Sequence, residues 1–173
     1  MTFPAAIRRC FSRYATFSGR ASRSEYWWFF LFLVLGNVVC GLLDGVLFGT
    51  GSIETASGRV EAQAGGGILS AVFGLVTIVP ALAAGWRRMH DSGRSGLYLF
   101  YPLIVIVGIS SFAALTGAYG AVAQGTVGLV TTFVLIMAGL VFMLSPFVVI
   151  WWLARPSQPE ANRFGPPPTE APA

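Results

Sequence analysis

Four apolar stretches, at about residues 26–48, 67–86, 97–118 and 126–153, each continue for the length of a bilayer-crossing helix with almost no charge. A helix needs about 20 residues to cross a hydrocarbon core, and inside that core the backbone must satisfy its own hydrogen bonds. The expected fold class is therefore all-α: an integral membrane four-helix bundle over residues 26–153, flanked by an N-terminal segment, 1–25, and a tail, 154–173. Composition points the same way. The chain of 173 residues is 55% apolar and 10% charged, with mean hydropathy +0.71, whereas soluble domains carry about 25% charged residues. The first stretch exceeds the ~7–15-residue core of a cleaved signal peptide, and no small-residue cleavage site closes it. Cys40, preceded by Asn37, Val38 and Val39, has no lipidation context.

Arginine placement sets the expected orientation. All 11 basic residues are arginine. Arg8, Arg9, Arg13, Arg20 and Arg23 face only Glu25 in the N-terminal segment, and Arg87, Arg88 and Arg94 face only Asp91 between the second and third stretches. After the first stretch the balance reverses, with Asp44, Glu54 and Glu61 against Arg59. Positive loops stay in the cytoplasm, so both termini are expected there. Trp27, Trp28, Trp86, Trp151 and Trp152 all fall at the same expected ends, where an indole ring suits the interface. Positive charge distributed between apolar runs argues against a nucleic-acid partner.

From Pro4, a stripe of Ile7, Phe11, Tyr14 and Phe17 predicts an amphipathic helix lying on the inner leaflet. Ser18 and Gly19 break it, and Ser22 with Glu25 has capping-box spacing for the start of the first span. Gly41, Gly45 and Gly49 form a ridge suited to close helix packing, within the chain or in a homo-oligomer. Pro80 and Pro146 fall inside spans and predict kinks.

The polar chemistry concentrates in the turn after the second span, Trp86-Arg87-Arg88-Met89-His90-Asp91-Ser92-Gly93-Arg94-Ser95-Gly96. If the helix continues to Asp91, Arg87 and Asp91 are spaced to pair and Gly93 is the stop. One reading makes this a charged helix end whose Arg and His suit the negative end of the helix dipole. The other makes it an anion site, in which guanidinium forks hold a phosphate or carboxylate and Asp91 orients them. Catalytic readings fare worse by counting. One histidine is too few for a metal-phosphohydrolase centre, a serine nucleophile has no evident oxyanion cradle, and no cofactor motif is present. Cys10 and Cys40 read as unpaired small apolar groups, and Asp44 as an interfacial group more than a proton-coupling one.

Residues 11–28, FSRYATFSGRASRSEYWW, then RRMHDSGRSG at 87–96 and NRFGPPP at 162–168, resemble the three signatures of the family catalogued as domain of unknown function 805, the YhaH-like bacterial inner-membrane proteins. The resemblance implies a multi-pass inner-membrane protein and no activity. It also implies that all three signatures lie on one side of the membrane. Arg20, Arg23, Glu25, Arg88, His90, Asp91, Asn162 and Arg163 are then expected to converge into one polar cluster under the bundle, followed by an extended proline-rich tail. The function expected is a non-enzymatic binding or interaction module whose cluster holds an anionic lipid headgroup or similar ligand. A small transporter or channel subunit is the alternative, and a membrane-embedded enzyme the third reading.

Overall fold

A computed structural model describes residues 1–48, 53–55, 58–60, 67–126 and 128–168. The chain forms α1 (Phe3–Ser12), α2 (Arg23–Phe48), a short antiparallel hairpin of β1 (Ile53–Thr55) and β2 (Gly58–Val60), α3 (Ile68–Asp91), a 3-10 turn (Gly96–Phe100), α4 (Tyr101–Leu115), α5 (Ala118–Ala123) and α6 (Leu129–Ala154). In the hairpin Ile53 lies opposite Val60. Four helical stretches are long and apolar enough to cross a membrane: α2, α3, the 3-10 turn continued by α4, and α6. The second runs to Asp91, past the expected end at Trp86. The third begins at Gly96 and stops at Leu115, because Gly117, in a left-handed conformation (φ +68°), turns the chain into the separate α5.

Helices α2 and α3 pack along one another, as do α4 and α6, and α1 lies across α2 and α3. Two small cores sit where these units meet. In one, Cys10, Phe29 and Ala84 are buried with Phe11 and Phe32 around them; in the other, Met89, Val149 and Leu153 are buried with Leu99, Tyr101 and Trp152. Much of the remaining helix surface is apolar and exposed, including Leu35, Val46, Leu75, Leu115 and Leu129, as a lipid-facing surface must be.

The N-terminal helix is amphipathic, but it ends at Ser12, so Tyr14 and Phe17 lie beyond it. Its buried positions are Ala6 and Cys10, which place the small face against α2 and α3. Ser22 caps α2 by accepting from the Glu25 amide at 3.2 Å. Only that half of the capping box forms, because the Glu25 carboxylate turns to Arg87.

Close helix approach occurs at Gly36, which the expected glycine ridge does not include. A side chain at Gly36 would fall on the Phe73 ring, whereas a methyl at Gly41 would only touch Ser70 Oγ at 3.9 Å. Gly49 lies outside the described residues. At the same end of the α2–α3 pair, buried Asp44 accepts from the amides of Leu69 (2.9 Å) and Ser70 (2.8 Å) and from Ser70 Oγ (2.7 Å). A carboxylate of α2 thereby caps the N-terminus of α3, where unpaired amides and the helix dipole favour negative charge.

Candidate polar cluster at the helix ends

Two buried ion-pair groups lie where the end of α3 meets the start of α2, α1 and the segment between α1 and α2. The first centres on Asp91, the last residue of α3. Arg20 Nε donates to Asp91 Oδ1 at 2.9 Å, and Arg88, one helical turn before Asp91, donates to Oδ2. All three side chains are buried. The remaining edges of both guanidinium groups are aimed at backbone. Arg20 donates to the carbonyls of Glu160 (2.8 Å), Gly165 (3.3 Å) and Gln158 (2.5 Å). Arg88 donates to Leu153 at 2.8 Å and to the Arg155 carbonyl. The last carbonyls of a helix have no partner within it, so Arg88 of α3 caps α6, and Arg20 fastens the segment that follows.

The second group centres on Glu25. Arg87 donates to Oε1 at 3.1 Å, and Arg9 Nε lies 3.4 Å from Oε2. Arg87 also donates to the carbonyls of Thr16 (2.6 Å) and Arg13 (3.4 Å), just past the end of α1. Its buried Nε finds no hydrogen-bond partner among the described residues. Cys10 lies beside this carboxylate; burial, reinforced by the negative charge of Glu25, pushes its thiol up to about 12.

His90 and Asn162 join the C-terminal segment to this frame. His90 Nδ1 donates to the Gly19 carbonyl at 3.1 Å, and its ring stacks on Phe164 with centroids 3.7 Å apart and planes 4° from parallel. Asn162 donates to the His90 carbonyl at 3.0 Å and accepts from the Phe164 amide at 2.9 Å, which shapes a turn closed at Gly165 (φ +126°). Gly93 (φ +79°) ends α3, and Gly96 leaves room for the Trp86 ring, which any side chain there would meet.

Of the eight residues expected to converge, Arg20, Arg88, Asp91, His90 and Asn162 meet directly through the C-terminal segment. Glu25 belongs to the neighbouring group. Arg23 is exposed and pairs with neither carboxylate among the described residues, its charge lying near Arg88, and exposed Arg163 lies over the Phe164 ring, 4.7 Å from its centroid, with its charge near His90. The expected Arg87–Asp91 pair does not form; the two arginines divide the carboxylates, Arg87 taking Glu25 and Arg88 taking Asp91. Adjacent helical residues point about 100° apart, so Arg87 and Arg88 reach different neighbours. Arg9 and Arg87, which the eight expected to converge did not include, are the partners of Glu25. Residues 169–173 of the tail lie outside the described residues.

Polar side chains within the spans are largely occupied locally. Asn37 donates to Leu33, Thr77 to Phe73, Thr132 to Gly128 and Ser145 to Phe142, each a carbonyl of its own helix or its cap.

A family model described as protein of unknown function (DUF805) matches residues 14–166. The chain is 35% identical over 95 residues to inner membrane protein YhaH of Escherichia coli (strain K12), covering 55% of this chain and 69% of that one. It is 34% identical over 94 residues to inner membrane protein YhaI of the same strain, covering 53% and 67%. No solved structure matches the chain.

Proposed function

Because the chain belongs to the DUF805 family, inner-membrane proteins to which no activity is assigned, we propose that it is a non-enzymatic binding module. It presents a rigid polar platform to the headgroup layer, and both termini are cytoplasmic. The observation that carries this reading is the inward use of Arg20 and Arg88. Their donors are spent on Asp91 and on backbone carbonyls between Leu153 and Gly165. Such groups build a surface; they do not wait for a substrate. A buried carboxylate holding two guanidinium groups fixes the C-terminal segment against the helix ends, so that the arginines of that segment and of the turn after α3 meet an anionic headgroup.

A conduit is less well supported, since Asn37, Thr77, Thr132 and Ser145 are satisfied by their own helices and offer little to a passing ion. The test is native mass spectrometry of protein released from mild detergent, wild type beside Arg88→Ala and Arg23→Ala, reading bound mass and subunit number together. A phosphate-bearing lipid kept by wild type and lost by Arg88→Ala, whose platform is undone, is the expected result. A lipid-free wild-type protein overturns the reading and moves the search to protein partners or self-association.

A further inference from the structure

Beside the Asp91 group, between the end of α3 and the chain leaving α6, lies a groove of about 690 Å³. Arg94, Arg155, Trp152, Tyr98, Ser157 and Gln158 line it, and none of the described lining residues is a carboxylate. The contrast with the four arginines already described is chemical. Arg9, Arg20, Arg87 and Arg88 all pair with Glu25 or Asp91. Arg94 and Arg155 form no ion pair among the described residues and instead rest on indoles. The Arg94 guanidinium carbon lies 5.1 Å from the Trp152 ring centroid, and that of Arg155 lies 5.0 Å from Trp151.

Stacking on a ring uses the flat face of a guanidinium and leaves its N–H edge in the plane free to donate. One Arg94 donor goes to the Ser92 carbonyl at 3.2 Å. Two like charges share this groove, and partial burial together with the nearby Arg155 charge lowers the Arg94 pKa. An anion between them offsets this repulsion and favours the charged form of both. The aromatic wall extends through Tyr98, edge-on to Trp152 with centroids 5.3 Å apart, which is the kind of surface found at headgroup depth.

We propose that the Arg94–Arg155 groove is a phosphate site, taking either the phosphodiester of a lipid headgroup or a free phosphate. This rests on the reading of the chain as a binding module and assigns the contact to two arginines outside the buried cluster. Fork-shaped donors suit phosphate oxygens, and the Ser157 and Gln158 side chains in the lining supply neutral donors beside them.

The experiment titrates purified full-length protein in detergent with phosphatidylglycerol, with diacylglycerol and with inorganic phosphate, following adducts by native mass spectrometry. Wild type is compared with Arg94→Gln/Arg155→Gln, Arg94→Lys/Arg155→Lys and Arg8→Gln. The glutamine pair is expected to weaken phosphatidylglycerol binding by about ten-fold or more, equivalent to about 1.4 kcal/mol. The lysine pair, which keeps charge and loses the fork, should fall between, and Arg8→Gln should match wild type. Diacylglycerol should give no adduct sensitive to either pair. Competition by inorganic phosphate at matching concentration identifies a free-phosphate site, and its absence identifies the lipid. Phosphatidylglycerol binding that is equal in wild type and the glutamine pair overturns the site but leaves the module reading standing. No binding of lipid or phosphate to wild type overturns both.

Discussion

The hydroxyl of Tyr14 donates to the carbonyl of Val76 at 2.6 Å, and Val76 is the residue whose helical partner would be Pro80, four positions on. Proline has no amide hydrogen, so this carbonyl is orphaned within α3, and a side chain from the segment after α1 satisfies it. Helix α6 solves the same problem internally: Ser145 Oγ donates at 2.7 Å to Phe142, the carbonyl left free by Pro146. In a bilayer, where water cannot replace the missing donor, such substitutions are required.

Tyr14→Phe should therefore cost about 1–3 kcal/mol, the range for leaving an acceptor unsatisfied. In a Pro80→Ala background the restored amide supplies the donor, and the cost should shrink. A double-mutant cycle of denaturation midpoints in detergent checks this; additive effects would dissociate Tyr14 from the proline.

Removing the Asp91 carboxylate strands two buried guanidinium groups. Asp91→Ala should destabilise the fold by about 3–5 kcal/mol and release the segment after α6, making the Arg163–Phe164 bond more accessible to limited trypsin digestion. Glu25→Ala also breaks a buried group, yet it holds no part of that segment and should leave cleavage at Arg163 as in wild type. Equal protection in both variants would contradict the fastening role of Arg20 and Arg88.

Cys10 supplies a pH signature. Its thiol moves from the ordinary 9.0 to about 12 on folding, so above pH 9 the unfolded chain loses a proton that the folded chain keeps. The contribution is complete below pH 9 and is lost as pH rises towards 12. Thermal midpoints of wild type should fall more steeply over that window than those of Cys10→Ala, and alkylation of Cys10 at pH 8 should require unfolding.

Packing at Gly36 is tight enough that Gly36→Ala pushes a methyl into Phe73, at a cost of about 1–3 kcal/mol. Gly41→Ala meets only Ser70 Oγ at ordinary contact distance and should be near neutral. Comparing the two melting points locates the close approach; a larger loss at Gly41 would place it on the ridge instead.

Orientation is testable separately. With both termini in the cytoplasm, green fluorescent protein fused to either end should fluoresce, and alkaline phosphatase fused there should be inactive. The opposite pattern at either terminus refutes the proposed topology.

Sequence periodicity and composition were sufficient for the four spans, since hydrocarbon length and backbone satisfaction act on each stretch separately. The Ser22 cap and the Gly93 stop were legible for the same reason: their partners lie within a few residues. The length of α1 was less so, because the apolar stripe from Ile7 to Phe17 continues past Ser12, where the helix ends. Which carboxylate Arg87 takes, which helix end Arg88 caps, and which glycine lets α2 and α3 close were decided only by tertiary structure. Neighbouring residues on a helix look in different directions, and a guanidinium finds its partner among whatever groups packing brings to that side. Here those groups lie 62 residues away for Arg87 and Glu25, and 71 for Arg20 and Asp91.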